Sequence, residues 1–518
     1  MTYLIRCTKK RRKQKNNLFF NISVLTMSKC IKHIYVILAL IFMLSACTNN
    51  EKNYTTVIPK DATLVVKANM KNLVEKSDLS NSPIIAMAKQ SLGVLMGKDA
   101  KKHVEDIMND PSLTGLNFDL PVYLFQTKNN YTGLSICVDD ESLLDEFLNA
   151  LSGQNICTKV KERDGLKCCK LLDDINVTYD DNTLLLLVRV EDKGISSTQN
   201  DGAVIQQLFD YNEDNSFIMS ENAKKMNDMN CEDFQIYSNL AAIPSQYIED
   251  YKSLLPAGVN YSDVNVIFGV DFLKGSVSVK TLLCGNNAKA QKIINDGYDS
   301  FKPIQGTYLS NIPKNNKTWI CFGSNGKKGL EQIKKFPAVK EMLTALNLGI
   351  DADNIIRAID GDVLLLSSKS ADKSETYDDV LKEADFSLVA NLKNSDFMKD
   401  MDYWMESSKE YGVNIVPFKD QYKLRIEDKD YYMDVKKNNL YFGTTPSSLK
   451  DFSTSIKNDK DVVGKYIYAQ INLKEQVDFI DKVTISSSGV GEITINVLTQ
   501  DKSDNVLKQI LKAATGLH

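Results

Sequence analysis

The chain has 518 residues, 43% of them hydrophobic and 25% charged, the composition of an ordinary folded protein long enough for two domains of roughly 200–250 residues. Its formal charge of −4 hides an asymmetry: nine of the 63 Lys/Arg and none of the 67 Asp/Glu stand in residues 1–46, so from Cys47 on 54 bases face 67 acids, a net −13. So acidic a body, with no basic tract interleaved with aromatics, has no electrostatic reason to bind nucleic acid.

Residues 1–26 carry the basic cluster Lys9–Lys13 and read as an upstream extension from a mis-called start. Met27 opens a better secretory signal over 27–46: Lys29 and Lys32 form a positive start, and Ile34–Leu44 is an apolar core too short to span a bilayer. Small Ser45 and Ala46 then precede Cys47. Leu44-Ser45-Ala46-Cys47 resembles the bacterial lipobox, which implies cleavage before Cys47 and acylation of that residue. Several acyl chains, at about 0.8 kcal/mol per buried methylene, hold a protein on a membrane where one chain does not. Residues 47–57 are then a tether, and Thr48 after the cysteine favours the outer membrane, with the face left open.

A first unit, 58–305, begins at Ile58-Pro59-Lys60-Asp61. Patterning predicts a strand at Leu64–Ala68, helical sequence from Asn72, at Ile84–Ala88 and at Lys101–Met108, and strands Pro121–Gln126 and Tyr131–Val138 joined across Asn129-Asn130. Asp139/Asp140 cap a helix with Leu143, Leu144, Phe147, Leu148 and Leu151 on one face. Strands follow at Leu166–Leu171, Ile175–Tyr179 and Thr183–Val190, the last two joined by the turn Asp180-Asp181-Asn182. Beyond the polar stretch Glu191–Gly202 come a strand-like Ser216–Met219, a helix from Glu221 and the strand Phe234–Tyr237. The clearest alternation is Val264–Phe272, turned at Lys274-Gly275 into Val277–Leu283, with a helix at Ala288–Asp296.

The second unit, 306–518, repeats that order from Ile312-Pro313-Lys314-Asn315. Strand Thr318–Phe322 leads into helices at Lys328–Lys335 and Ala338–Leu346, then strands Asp362–Ser367 and Phe386–Leu392. A helical face at Phe397, Met398, Met401, Trp404 and Met405 precedes the three strands Tyr422–Ile426, Tyr431–Val435 and Leu440–Phe442. Glu492–Leu498 matches Ser276–Leu282, and Val506–Leu511 is the last helix. The fold expected is α+β: two homologous repeats, each a mainly antiparallel sheet with helices packed on one face.

The lipobox, Ile58-Pro59-Lys60-Asp61-Ala62-Thr63, Leu120-Pro121-Val122-Tyr123 and Asn239-Leu240-Ala241-Ala242 are together similar to a Bacteroidota lipoprotein family catalogued as domain of unknown function 4836. The resemblance covers nearly everything after Cys47. Its motifs are structural phrases, so it carries over no functional residue except the lipidated Cys47.

Chemistry is sparse. Three histidines occur, and His103 alone is internal to the mature chain, in a polar helix that gives it no nucleophile to activate. No GxSxG, HExxH, P-loop or GxGxxG stands anywhere. Asp139-Asp140, Asp173-Asp174, Asp180-Asp181 and Asp360-Gly361-Asp362 read as caps and turns rather than as a catalytic carboxylate pair. Asp210, Asn212, Asp214, Ser216 and Glu221 fall at positions 1, 3, 5, 7 and 12 of a calcium loop, but position 6 is Asn215 and not Gly, so no metal is expected there. Seven cysteines follow Cys47 without CxxC spacing and read as buried free thiols. The expected function is a membrane-anchored cell-envelope lipoprotein, without cofactor, that binds or scaffolds an envelope protein or a glycan. The alternative is a carboxylate-dependent hydrolase of envelope glycan or peptidoglycan.

Overall fold

The computed structural model describes residues 53–79, 106–107, 110–172, 174–190, 200–243, 259–313, 318–367, 385–426, 428–446, 449, 457–474 and 477–515. The signal segment, Cys47, His103, Asp173 and the helical readings at Ile84–Ala88 and over most of Lys101–Met108 lie outside the described residues.

The first strands are β1 (Leu64–Ala68), β2 (Leu116–Asn117), β3 (Val122–Gln126), β4 (Tyr131–Val138), β5 (Lys161–Arg163), β6 (Leu166–Leu171), β7 (Ile175–Tyr179) and β8 (Thr183–Arg189). They continue as β9 (Phe234–Asn239), β10 (Val264–Leu273), β11 (Ser276–Gly285), β12 (Phe301–Lys302), β13 (Thr318–Asn325), β14 (Ile359–Ser367) and β15 (Phe386–Leu392). The last are β16 (Val413–Phe418), β17 (Gln421–Ile426), β18 (Lys429–Lys436), β19 (Asn439–Gly443), β20 (Ile467–Asn472), β21 (Ile480–Ser487) and β22 (Glu492–Thr499). With ten α-helices among the described residues, the class is α+β with a large antiparallel sheet.

Two compact units divide these elements: residues up to 54, 69–122 and 134–188 form one, and 55–68, 123–133 and 189–518 the other. In the first, β8 pairs with β4 and starts the meander β8-β7-β6-β5, while β2 pairs with the other end of β4. Helix Glu141–Gly153 follows β4 and starts at Asp140, whose carboxylate accepts from Ser142 and Leu143 N–H at 2.9 and 3.0 Å. Leu144 and Leu148 are its buried residues, the face that the Leu/Phe spacing predicts.

In the second unit the strands lie in the order β3-β1-β9-β10-β11-β22-β21-β20-β13-β14-β15-β19-β18-β17-β16. The hairpin β10–β11 is in register over ten residue pairs, from Val264↔Gly285 to Leu273↔Ser276, and turns at Lys274-Gly275, where Gly275 takes φ +67°. The turn Lys437-Asn438 between β18 and β19 has both residues left-handed, at φ 48° and 58°, the geometry that matches strand twist. Behind the later strands, Phe397, Met401 and Trp404 pack with Val363, Ala390, Leu392 and Leu440 into one buried cluster.

Several expectations are corrected. Phe217–Met219 is a 3-10 turn and no strand; its Phe217 is buried while Met219 is exposed, so the apolar run does not alternate across a sheet. Asp360-Gly361-Asp362 lies inside β14, whose register shifts between Ile359 and Val363, and Gly361 takes φ +116° there. The first four residues of β10 are all buried, Val264 and Val266 on one face and Asn265 and Ile267 on the other, so this strand is covered on both faces at that end. Strand β16 and the helix Ala352–Ala358 were not predicted.

Candidate functional site: an amide-lined cleft

The pleat brings three neighbouring strands to a common end. Tyr237 of β9 faces Val65 of β1 and Ile267 of β10, and two residues on, Asn239 faces Asn265, which in turn faces Cys284 of β11. Residues two apart share a face, so Tyr237, Asn239 and Asn265 stand together beside Thr63, whose carbonyl accepts the Asn239 N–H at 3.1 Å. A cleft of about 480 Å³ opens there, within the range of small-molecule sites. Asn222, Ser262, Asn286 and the turn alanines Ala241 and Ala242 complete its polar and apolar walls.

Local sequence explains each wall. Asn239 ends β9 and caps the 3-10 turn Leu240–Ala242, its Oδ1 accepting from Ala241 N–H at 3.0 Å. Its Nδ2 donates to Ser262 O at 3.0 Å and to Asn265 Oδ1 at 2.9 Å. Asn286, just past β11, donates its Nδ2 to the same Ser262 carbonyl. Asn287 caps helix Ala288–Tyr298 through Ala290 N–H at 2.9 Å. Ser220 caps helix Glu221–Asp228 through Ala223 N–H at 3.1 Å and so sets Asn222 on the helix's first turn at the cleft.

The floor is largely buried and the rim exposed. Asn265 is 4% and Tyr237 7% exposed. Tyr237 packs on Phe217 at 5.1 Å between ring centroids, and burial, with the neighbouring Cys284, pushes its hydroxyl above the usual phenol range. At the rim Lys128 and Asp61 pair at 3.0 Å with their side chains 64% and 58% exposed, a contact that water and salt screen. Asp61 is the one carboxylate of the lining. Two acids across a cleft, the requirement for glycoside hydrolysis, do not meet here.

The residues of the calcium-loop spacing go to separate tasks. Asp210 ends helix Asp201–Phe209 and accepts from Gln206 Nε2 at 3.0 Å. Asn212 caps the turn Glu213–Asn215, and Ser216, fully buried, donates to Thr55 O at 2.9 Å. Glu221 begins the next helix. Among the described residues no group of three His, Cys, Asp or Glu side chains is placed to hold a metal ion. The segment instead docks the opening phrase: Lys60 N–H donates to Asn215 O and Phe217 N–H to Ile58 O, both at 2.8 Å. Ile58-Pro59-Lys60-Asp61 is thus fixed as the lead-in to β1 and to the cleft rim.

The seven cysteines among the described residues carry no disulfide. Six of the seven are buried, and burial pushes the thiols of Cys169 and Cys231 up to about 12 and about 11, away from the reactive thiolate. Asp140 and Asp180 act as the caps and turns their neighbours predict, Asp180 accepting from Asn182 and Thr183 N–H at 2.9 and 2.7 Å. Sequence reasoning missed Asn265 and Asn286, and the signal it did carry was the Asn239-Leu240-Ala241-Ala242 phrase.

An α+β chain with a polar cleft at strand ends and no catalytic constellation among its described residues defines a class of architecture rather than a chemistry. The chain belongs to the family described as "Domain of unknown function (DUF4836)", whose sequence model matches residues 54–501. No curated protein matches it. The solved structure of TP0453 in crystal form IV is 9% identical, covering 45% of this chain and 81% of that one at a TM-score of 0.27. The same protein in crystal form I is 10% identical, covering 77% and 92% at a TM-score of 0.19. At these scores the likeness carries no argument about fold or function.

Proposed function

We propose that this is a non-catalytic binding protein of the cell envelope, held on the membrane by acyl chains on Cys47, with the amide-lined cleft as its ligand contact. The observation that carries the reading is the cleft's chemistry: neutral hydrogen-bonding groups on a largely buried floor, and a single carboxylate already paired with a lysine. Such a lining orients a ligand and supplies neither nucleophile nor acid–base pair. The sequence places anchoring before the folded body, in the 27–46 signal and the lipobox, and points to the outer membrane. Among the described residues no helix is long and apolar enough to cross a membrane.

The body is read as two copies of one unit, 58–305 and 306–518. Strand order supports this. About the β11–β22 pair, β10, β9, β1 and β3 stand where β21, β20, β13 and β14 stand on the other side. The run β4-β8-β7-β6-β5 has the connectivity of β15-β19-β18-β17-β16. An Asn-Leu pair ends the equivalent strands at Asn239-Leu240 and Asn472-Leu473. The helices Asp201–Phe209 and Glu221–Asp228, which precede β9, have no counterpart among the described residues before β20.

The test is retention and turnover on cell-envelope fractions. The expected outcome is retention that Ala242→Trp abolishes, with no release of reducing sugar or amine. Product release that disappears in Asp61→Asn overturns the binding reading in favour of a hydrolase. Anchoring is read separately: Cys47→Ser should move the protein from the membrane to the soluble fraction, and an unchanged distribution rules the anchor out.

A further inference from the structure

We propose that the cleft takes a neutral sugar unit, with the side-chain amide of Asn265 donating to a hydroxyl or acetamido oxygen; this rests on the reading of the cleft as the binding site. Asn265 is nine-tenths buried and its carbonyl oxygen is engaged by Asn239 at 2.9 Å, but among the described residues its Nδ2 meets no acceptor. The Tyr237 hydroxyl on the same floor likewise meets no partner among the described residues. Both groups open onto the cleft rather than into packed protein, so a ligand oxygen can take the place of water on them.

Three observations narrow the ligand. The lining's one acid and one base, Asp61 and Lys128, stand exposed at the rim beside each other, so the floor offers neither a phosphate nor a cation a countercharge. The strands at the cleft have neighbours on both sides, β1 between β3 and β9, β9 between β1 and β10, and β10 between β9 and β11. No free sheet edge is therefore offered to an extended peptide backbone. The donors come from separate strands and turns around a small bowl, with the methyls of Ala241 and Ala242 on one side. A hydroxylated ring with one apolar substituent matches that mix of amides and methyls, and the open rim leaves room for the rest of a glycan.

The experiment is saturation-transfer NMR and calorimetry on the full mature chain carrying Cys47→Ser. The probes are glucose, N-acetylglucosamine, their short oligomers, and a trialanine peptide capped at both ends. Saturable sugar binding is expected, weakened at least tenfold by Asn265→Asp, which keeps an oxygen for Asn239 but removes the donor. Ala242→Trp, on an exposed turn, should weaken it as strongly by filling the cleft, and it remains informative if Asn265→Asp unfolds. Preference for the N-acetylated series assigns the amide to the acetamido oxygen, and equal binding assigns it to a hydroxyl. Sugar binding that survives both substitutions overturns the assignment of site. Binding of the capped peptide alone, lost in Ala242→Trp, overturns the sugar and leaves the cleft. Silence from every probe overturns both.

Discussion

Asp362 shows how far a residue's neighbours in sequence can mislead. Between Gly361 and Val363 it reads as part of a turn, yet it is 1% exposed and its two carboxylate oxygens accept from Gln305 and Thr307 N–H at 2.8 and 2.7 Å. Its own N–H donates to Asn391 Oδ1 at 3.0 Å, and Asn391 continues through Tyr308 to Asn439. Asp362→Ala takes the charged acceptor away from the Gln305 and Thr307 N–H groups, so the expected loss is about 3 kcal/mol in urea unfolding. Asp360→Ala is the comparison: Asp360 pairs with Lys302 but is 35% exposed, and its removal should cost within about 1 kcal/mol. Equal effects would mean that the Gln305–Thr307 segment finds other acceptors. The cleft was hidden for the same reason. Asn239, Asn265 and Asn286 each look like a local cap or turn residue, and only strand register brings them together.

Elements were legible where turn chemistry and period agreed. The bounds of β4 and β15 coincide with those that alternation predicts, and β10 and β11 differ by a residue or two, because Asn129-Asn130 and Lys274-Gly275 punctuate strands whose apolar residues recur every second position. Strand β16 was hidden by Pro417, which argues against a central strand; among the described residues it pairs on one side alone, with β17, where a proline is tolerated. Helix Ala352–Ala358 is too short for its period to register, although Asp351 caps it through Asn354 N–H at 3.1 Å. The β11–β22 contact had no sequence signal, since nothing local marks which edge strands will meet. Its register starts beside Gly491, at φ +74°, where an added Cβ would stand 2.2 Å from Leu283 O, the same residue whose N–H donates to Gly491 O at 2.9 Å. Gly491→Ala should therefore cost more than the roughly 1 kcal/mol of left-handed strain and speed amide exchange at Leu283 and along β11. Gly165→Ala, at φ +80° with open space around it, should show the strain alone. If both variants lose the same stability, the close approach at Gly491 relaxes without disturbing the pair.

At the scale of the whole chain, duplication makes a claim about cooperativity that neither strand nor residue can make. If 58–305 and 306–518 descend from one unit, each should hold a complete set of its own strand pairings and meet the other mainly through β11 and β22, paired from Ser276↔Leu498 to Leu282↔Glu492. The division that respects hydrogen bonding falls after Asp299, because Phe301 and Lys302 pair with β13 and Ile304 N–H donates to Lys465 O at 2.8 Å. Cutting there removes no strand from either sheet run, whereas each fragment alone exposes a long, half-apolar edge strand. Unpaired edges of that kind recruit other chains. Fragments 48–299 and 300–518 expressed together should therefore associate into a soluble complex, and either one alone should aggregate or self-pair through β11 or β22. The seven-residue register also sets a specific rescue: Val279→Pro, placed opposite Ile495 at the middle of the pairing, should block association while leaving the intact chain folded but less stable. Size-exclusion chromatography with light scattering reads both outcomes. Two fragments that never associate, or a 300–518 fragment without native-like strand content, would mean that the chain folds as one unit and that its repeated strand order is no record of two.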